Sequence, residues 1–253
     1  MKENYTHIAI VIDRSGSMAS MAKDVIGGFN TLIKDQKTVE GEATITMAQF
    51  DDIYEIVHDF APVKNVEELT NKTFVPRGST ALLDAMGKTM EEVRGKVLDM
   101  KSDEQPAKVI FVFITDGEEN ASSKYNRSQI FQMIKDLKGK EQNNEINWEF
   151  VFIGANQDAI QEGGSMGFRA AASMTFDASG DGADLAFKSL SKSLTTYRCM
   201  YSKCASYSFE DSDRKEMDDL LKSKKRKYTN GVIPTSIPDL DDGIVDLGID
   251  KSI

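Results

Sequence analysis

Ile8-Ala9-Ile10-Val11-Ile12-Asp13-Arg14-Ser15-Gly16-Ser17 is the stretch on which the fold turns. Five apolar residues in a row read as a strand buried on both faces, which places it inside a mostly parallel sheet. A carboxylate and two hydroxyls follow without a gap, at alternate positions. Alternate residues of an extended loop point the same way, so Asp13, Ser15 and Ser17 converge on one point. Oxygen-only ligands of low total charge suit a hard cation such as Mg²⁺. By itself the junction also reads as a strand-to-helix loop in which Ser15 or Ser17 caps the next helix.

Outward from it, two further segments place an oxygen side chain at an element boundary. Arg77-Gly78-Ser79-Thr80-Ala81-Leu82-Leu83-Asp84 opens a long helix, and Ile114-Thr115-Asp116-Gly117-Glu118-Glu119 ends a second apolar strand, Val109 to Phe113. In an open parallel sheet the carboxyl ends of the strands face one crevice, where ligands bind. With these residues the chain resembles the von Willebrand factor type A family and its metal-ion-dependent adhesion site. The family pattern D-x-S-x-S, then Thr, then Asp maps onto Asp13, Ser15, Ser17, Thr80 and Asp116, and G-S-T-A-L and T-D-G are family wording too. The likeness runs over about residues 5–200. It implies Mg²⁺ or Mn²⁺ on those five residues, held partly through water, with an exchangeable position that a partner's Glu or Asp fills. It also implies a Rossmann-like, doubly wound six-stranded sheet of order 3-2-1-4-5-6 with one antiparallel edge strand and helices on both faces. Relatives of this kind that work in the cytoplasm often serve ATPases or larger bacterial or viral assemblies.

The rest of the chain alternates helical and strand periods, as an α/β fold requires. Strands are expected over about 6–12, 44–50, 53–60, 108–114, 148–153 and 171–176, and helices over about 18–36, 80–100, 127–140, 156–163 and 182–203. Only Asp51-Asp52 separates the second and third strands, too little for a crossover, so these two form an antiparallel hairpin. The helix methionines read as core filler, and Gly163-Gly164-Ser165-Met166-Gly167 as a loop. From about residue 208 the periodicity dissolves. A domain over 1–205 is therefore expected, followed by a charged extension over 206–253. That extension carries Lys222, Lys224, Lys225, Arg226 and Lys227, then Asp239 to Leu247 with acidic and apolar residues interleaved. The basic run reads as a solvated helix end in preference to a phosphate-binding patch, and the acidic stretch equally as an interaction motif or added strand and as a disordered terminus.

Composition narrows the function. The 253 residues are 40% hydrophobic and 28% charged, enough for a sizeable core. No run approaches the ~20 apolar residues of a membrane span, and Met1 to Tyr5 does not read as a signal peptide. The two cysteines, Cys199 and Cys204, lack zinc spacing and read as reduced thiols of a cytoplasmic protein. A net charge of −10 argues against general nucleic-acid binding.

Catalysis is not expected. The two histidines, His7 and His58, fall at the strand ends away from the crevice, and there is no P-loop. A phosphoaspartyl enzyme needs a second acid two residues after the first, where this chain has Ser15, and Arg77 is the only near cation. The expected role is a metal-dependent protein-binding module. A scaffold or assembly role, and less so a phosphohydrolase, are the alternatives. Glu118 and Glu119 beside the site disfavour a strongly acidic partner surface, and Asn120, Ser122 and Ser123 are candidates for rim hydrogen bonds.

Overall fold

The structure, a computed structural model, describes residues 1–139, 146–155, 158–201 and 205–229, without the side chains of 224–229. Asn156, Cys204, the Lys140 helix end, the side chains of Lys224 to Lys227 and the whole acidic tail from Asn230 lie outside the described residues.

Apolar side chains of the central strands alternate between two helix layers. The strands are β1 (Lys2–Asp13), β2 (Glu42–Phe50), β3 (Tyr54–Pro62), β4 (Pro106–Thr115), β5 (Asn147–Ala155) and β6 (Ser173–Phe176). They order as β3-β2-β1-β4-β5-β6, with the β2–β3 pair antiparallel and every other pair parallel. The helices are α1 (Ala22–Gln36), α2 (Leu82–Asp99), α3 (Arg127–Lys138), α4 (Ala159–Ser165), α5 (Gly180–Cys199) and α6 (Asp211–Thr229). Ile8, Ile10 and Ile12 pack with α1, α5 and α6, whereas Ala9 and Val11 pack with α2, α3 and α4. Met18, Met21, Met86 and Met90 are all buried filler. At Gly28 a Cβ would sit 2.5 Å from the Phe187 ring, so glycine lets α1 and α5 close on each other.

Several expected boundaries move. The first helical segment begins as a 3₁₀ turn, Gly16–Met21, before α1. Thr80 precedes α2 rather than opening it. Gly163 and Gly164, read as loop, lie inside α4, and Gly163 brings that helix onto Phe152 and Ser173. The expected domain limit at 205 falls within packed structure. Ala205, Tyr207 and Phe209 are buried at alternate positions, and Met217 of α6 joins the same core.

The end of the sheet away from Asp13 holds two buried cations. Lys108 Nζ donates to the carbonyls of Tyr197, Arg198 and Met200 at the end of α5, at 3.3, 2.6 and 2.7 Å. Arg198 in turn donates to the Gln36 carbonyl and side chain, at 2.8 and 3.1 Å, and to the Val39 carbonyl at 3.3 Å. Each cation thus meets the negative end of a helix dipole and carbonyls that the helix leaves unbonded. His7, also at this end, is fully buried, shares a 2.8 Å hydrogen bond with Thr44 and stacks on Phe60 at 3.7 Å. Phe60 has φ +46°, rare for a side chain of that size, and the β2–β3 register slips twice nearby.

Candidate metal centre

The sheet topology decides which loops meet. β1 and β4 are neighbours whose following connections run to opposite sides, so the crevice opens where both strands end. Ile12 pairs with Ile114, which sets Asp13 and Asp116 on adjacent loops. Asp13 is completely buried. Its Oδ1 accepts the Ser15 N–H at 2.6 Å and its Oδ2 accepts the Thr115 hydroxyl at 2.6 Å. Ser15 Oγ lies 3.0 Å from Ser17 Oγ, and Ser17 Oγ donates to Asp116 Oδ1 at 2.8 Å. A Cβ on Gly117 would lie 3.0 Å from Thr80 Oγ1 and 3.7 Å from Ser17 Oγ, so Thr80 reaches the same spot from the third loop. Asp13, Ser15, Ser17, Thr80 and Asp116 are therefore brought together.

Neither serine is a helix cap. Ser15 precedes the 3₁₀ turn without any side-chain capping bond, Ser17 lies inside that turn, and the residue before α1 is Met21. Thr80 does not cap α2 either, because Ala81 holds that position. The orphan amides of α2 are met from the loop after β4 instead. Glu119 Oε2 accepts the Leu83 N–H at 2.9 Å and Ser122 Oγ accepts that of Asp84 at 3.0 Å. Asn120 Oδ1 accepts the Thr80 N–H at 3.0 Å, and the Thr80 carbonyl accepts from the amides of Asn120 and Ala121. Asn120 and Ser122, expected at a binding rim, thus hold the Thr80 loop and the start of α2. The Ser123 amide is bonded to Asp84. The Glu119 carboxylate also takes the amides of Ala121 and Ser122, leaving Glu118 as the exposed acid of that pair.

Electrostatics set this spot apart. Burial pushes the Asp13 carboxyl up to about 6, against the hydrogen bonds from Thr115 and Ser15, and the Asp116 charge adds to the rise. Asp116 is raised as well, again by burial, with the Ser17 hydroxyl opposing. Among the described residues no ion pair reaches either carboxylate. Arg14, a second cation near the loops besides Arg77, lies between two residues of the motif. Its guanidinium turns away, with Nε 3.0 Å from Asp51 Oδ2 and Nη1 2.6 Å from Glu55 Oε2. Two carboxylates and three hydroxyls facing one point, with no basic side chain among them, fit a hard divalent cation. Among the described residues no group of three His, Cys, Asp or Glu is placed to hold a metal. A donor set built mainly of hydroxyls does not contain such a group.

The likenesses to known proteins follow this geometry. Residues 7–184 match the family model described as the von Willebrand factor type A domain. No curated protein matches the sequence. Among solved structures, the open pilus adhesin SpaC of Lactobacillus rhamnosus GG is 11% identical, with 75% of this chain and 30% of that one covered and a TM-score of 0.54. A mutant of the PilB minor pilin of Streptococcus sanguinis is 12% identical, covers 75% and 61%, and scores 0.50. Proximal thread matrix protein 1 of the mussel byssus, solved with zinc in its MIDAS motif, is 17% identical, covers 76% and 46%, and scores 0.49. The chain spans roughly half the length of several of the solved structures it matches, 46%, 61% and 47%. At these identities the likeness is one of fold.

Proposed function

The chain belongs to the von Willebrand factor type A family, and from that premise we propose that it is a protein-binding module whose contact with a partner depends on a divalent cation. Asp13, Ser15, Ser17, Thr80 and Asp116 are the residues that would hold Mg²⁺ or Mn²⁺. When bound, the ion supplies an electrophilic position for a Glu or Asp of the partner. One observation carries the reading: a buried carboxylate, Asp13, and a half-buried one, Asp116, share a spot with three hydroxyls while the motif's own arginine is held elsewhere. Asp13 and Asp116 supply the charge, and the bonds from Thr115 and the Ser15 amide fix the Asp13 rotamer. Ser15 and Ser17 are already linked to each other and to Asp116. Thr80 is set at its backbone by Asn120, so its hydroxyl is presented without a search through rotamers of a free loop.

No catalytic turnover belongs to this reading. The position two residues beyond Asp13 is a serine, and His7 is buried at the far end of the sheet. With Glu118 exposed at the rim, the partner is expected to present its carboxylate among neutral or basic groups.

The test is calorimetric titration of the purified protein with Mg²⁺ and Mn²⁺, joined to capture of partners from the native host. Capture uses wild type, wild type with EDTA, and Thr80→Ala. Thr80 makes no cap bond, so its loss should cost stability by about 1 kcal/mol or less, while the ion and the partner are both lost. Recovery of the same partners in all three arms would overturn the proposal. Hydrolysis of a phosphomonoester that vanishes in Asp13→Asn would restore the phosphohydrolase alternative.

A further inference from the structure

Asp51, at the turn between β2 and β3, is completely buried and makes an unusual set of bonds. Its Oδ2 accepts from Arg14 Nε at 3.0 Å and from Arg77 Nε at 2.9 Å. Its Oδ1 accepts the Ile53 N–H at 2.5 Å, and its carbonyl accepts the Ala81 N–H at 3.1 Å. One residue thus grips both ends of the segment 77–81, which carries Thr80, and the loop that carries Ser15 and Ser17. The backbone repeats the connection. The Arg77 amide donates to the Arg14 carbonyl at 2.7 Å, the Gly16 amide to the Gly78 carbonyl at 3.2 Å, and the Arg14 amide to the Phe50 carbonyl at 2.7 Å. Gly78 makes the tight turn between these contacts at φ +67°, and a Cβ there would lie 2.1 Å from Asp52 Oδ1.

We propose that Asp51 is a positioning residue for the cation site: through Arg14, Arg77 and Ala81 it holds the Thr80 loop against the Ser15–Ser17 loop. The inference rests on the reading of those residues as cation ligands. Thr80 rides between two clamps, Asn120 on the β4 side and Asp51 on the hairpin side. The same carboxylate, with Glu55, occupies the guanidinium of Arg14, the residue that follows Asp13 in the chain. Groups that orient metal ligands from outside typically contribute about 10–100-fold to metal affinity.

Arg77 gives the cleanest test, because its side chain is 53% exposed and an exposed ion pair adds little to folding. Arg77→Met should weaken Mn²⁺ affinity about tenfold in calorimetry and leave the melting temperature of the metal-free protein within about 2 °C of wild type. Arg77→Lys, which keeps a donor for Asp51, should recover part of the loss. In metal-free protein, amide exchange at Thr80 and Ala81 should speed up in Arg77→Met while exchange in β1 and β4 stays as in wild type. Asp51→Asn should lower affinity further, together with the melting temperature. Unchanged affinity and exchange in Arg77→Met would overturn the proposal, and so would an affinity loss that merely follows a fall in melting temperature. A wild type that binds neither ion would overturn the cation reading itself. The exchange result would then decide the clamp, faster exchange supporting it and unchanged exchange ending it.

Discussion

The two ends of the sheet handle buried charge in opposite ways. At one end Lys108 and Arg198 are buried cations that no ion pair reaches among the described residues, yet each is surrounded by carbonyls at a helix C-terminus. At the other, Asp13 and Asp116 are desolvated anions whose neighbours are hydroxyls and amides, with no ion pair to either among the described residues. The first arrangement is complete within the chain. The second is electrostatically unfinished, and a buried charge without compensation is costly. The lesson is that burial of a charged group does not by itself mark a site; what marks it is whether the surrounding fold has answered the charge.

The comparison breaks most visibly if the cation end proves dispensable. Lys108→Met removes the donor from the carbonyls closing α5 and should cost about 3 kcal/mol in urea denaturation, with cation affinity unchanged. An affinity that fell along with stability would mean that the two ends are not independent.

Next in size is the gain at the acidic end. Mg²⁺ at 100 times its dissociation constant should stabilise wild type by about 2.7 kcal/mol. Asp116→Asn should erase that gain while its metal-free form melts at or above wild type, because a desolvated charge has been removed. A metal-free variant that melted well below wild type would show that Asp116 is answered within the chain after all.

A smaller effect separates a buried neutral group from both ends. Burial, reinforced by the charge of Lys96, lowers His7 from 6.5 to about 3. The unfolded chain therefore takes up this proton first, so the stabilising contribution is full above pH 6.5 and is lost as pH falls toward 3. Between pH 6.5 and 5 the loss should be about 2 kcal/mol, and His7→Gln, which can keep the bond to Thr44, should show a pH slope shallower by that amount. Equal slopes would mean that His7 opens to solvent before the fold is lost.

Much of the candidate site was legible because its residues sit in short local patterns tied to strand ends. Asp13, Ser15 and Ser17 are set by one loop, while Thr80 and Asp116 follow from where a helix begins and a strand stops. Asp51 and the true place of Arg14 were not legible, since an Asp-Asp pair at a hairpin tip satisfies the ordinary rules of a turn and says nothing of what it bonds 26 or 37 residues away. The bonds of Glu119, Asn120 and Ser122 were not legible for a related reason. Polar residues beside a site look available, but unpaired amides in the first turn of α2 and in the loop just before it claim them first. The segment beyond 205 held a readable signal, the alternation of Ala205, Tyr207 and Phe209, which a search for helical periods passes over.

The irregular pairing of β3 has a consequence for how this molecule keeps company with its own copies. A sheet's outermost strand ordinarily exposes a straight row of amides and carbonyls, which templates the addition of another chain. Here the outer strand slips register twice, turns at Phe60, and spends the Phe60 amide on the Thr46 hydroxyl at 3.3 Å. Lys96 and Asp59 add a bonded charge pair beside it. The opposite edge, β6, is four residues long. Neither margin offers the flat ladder that growing aggregates require, so crowding this protein in solution should not zip its sheets together.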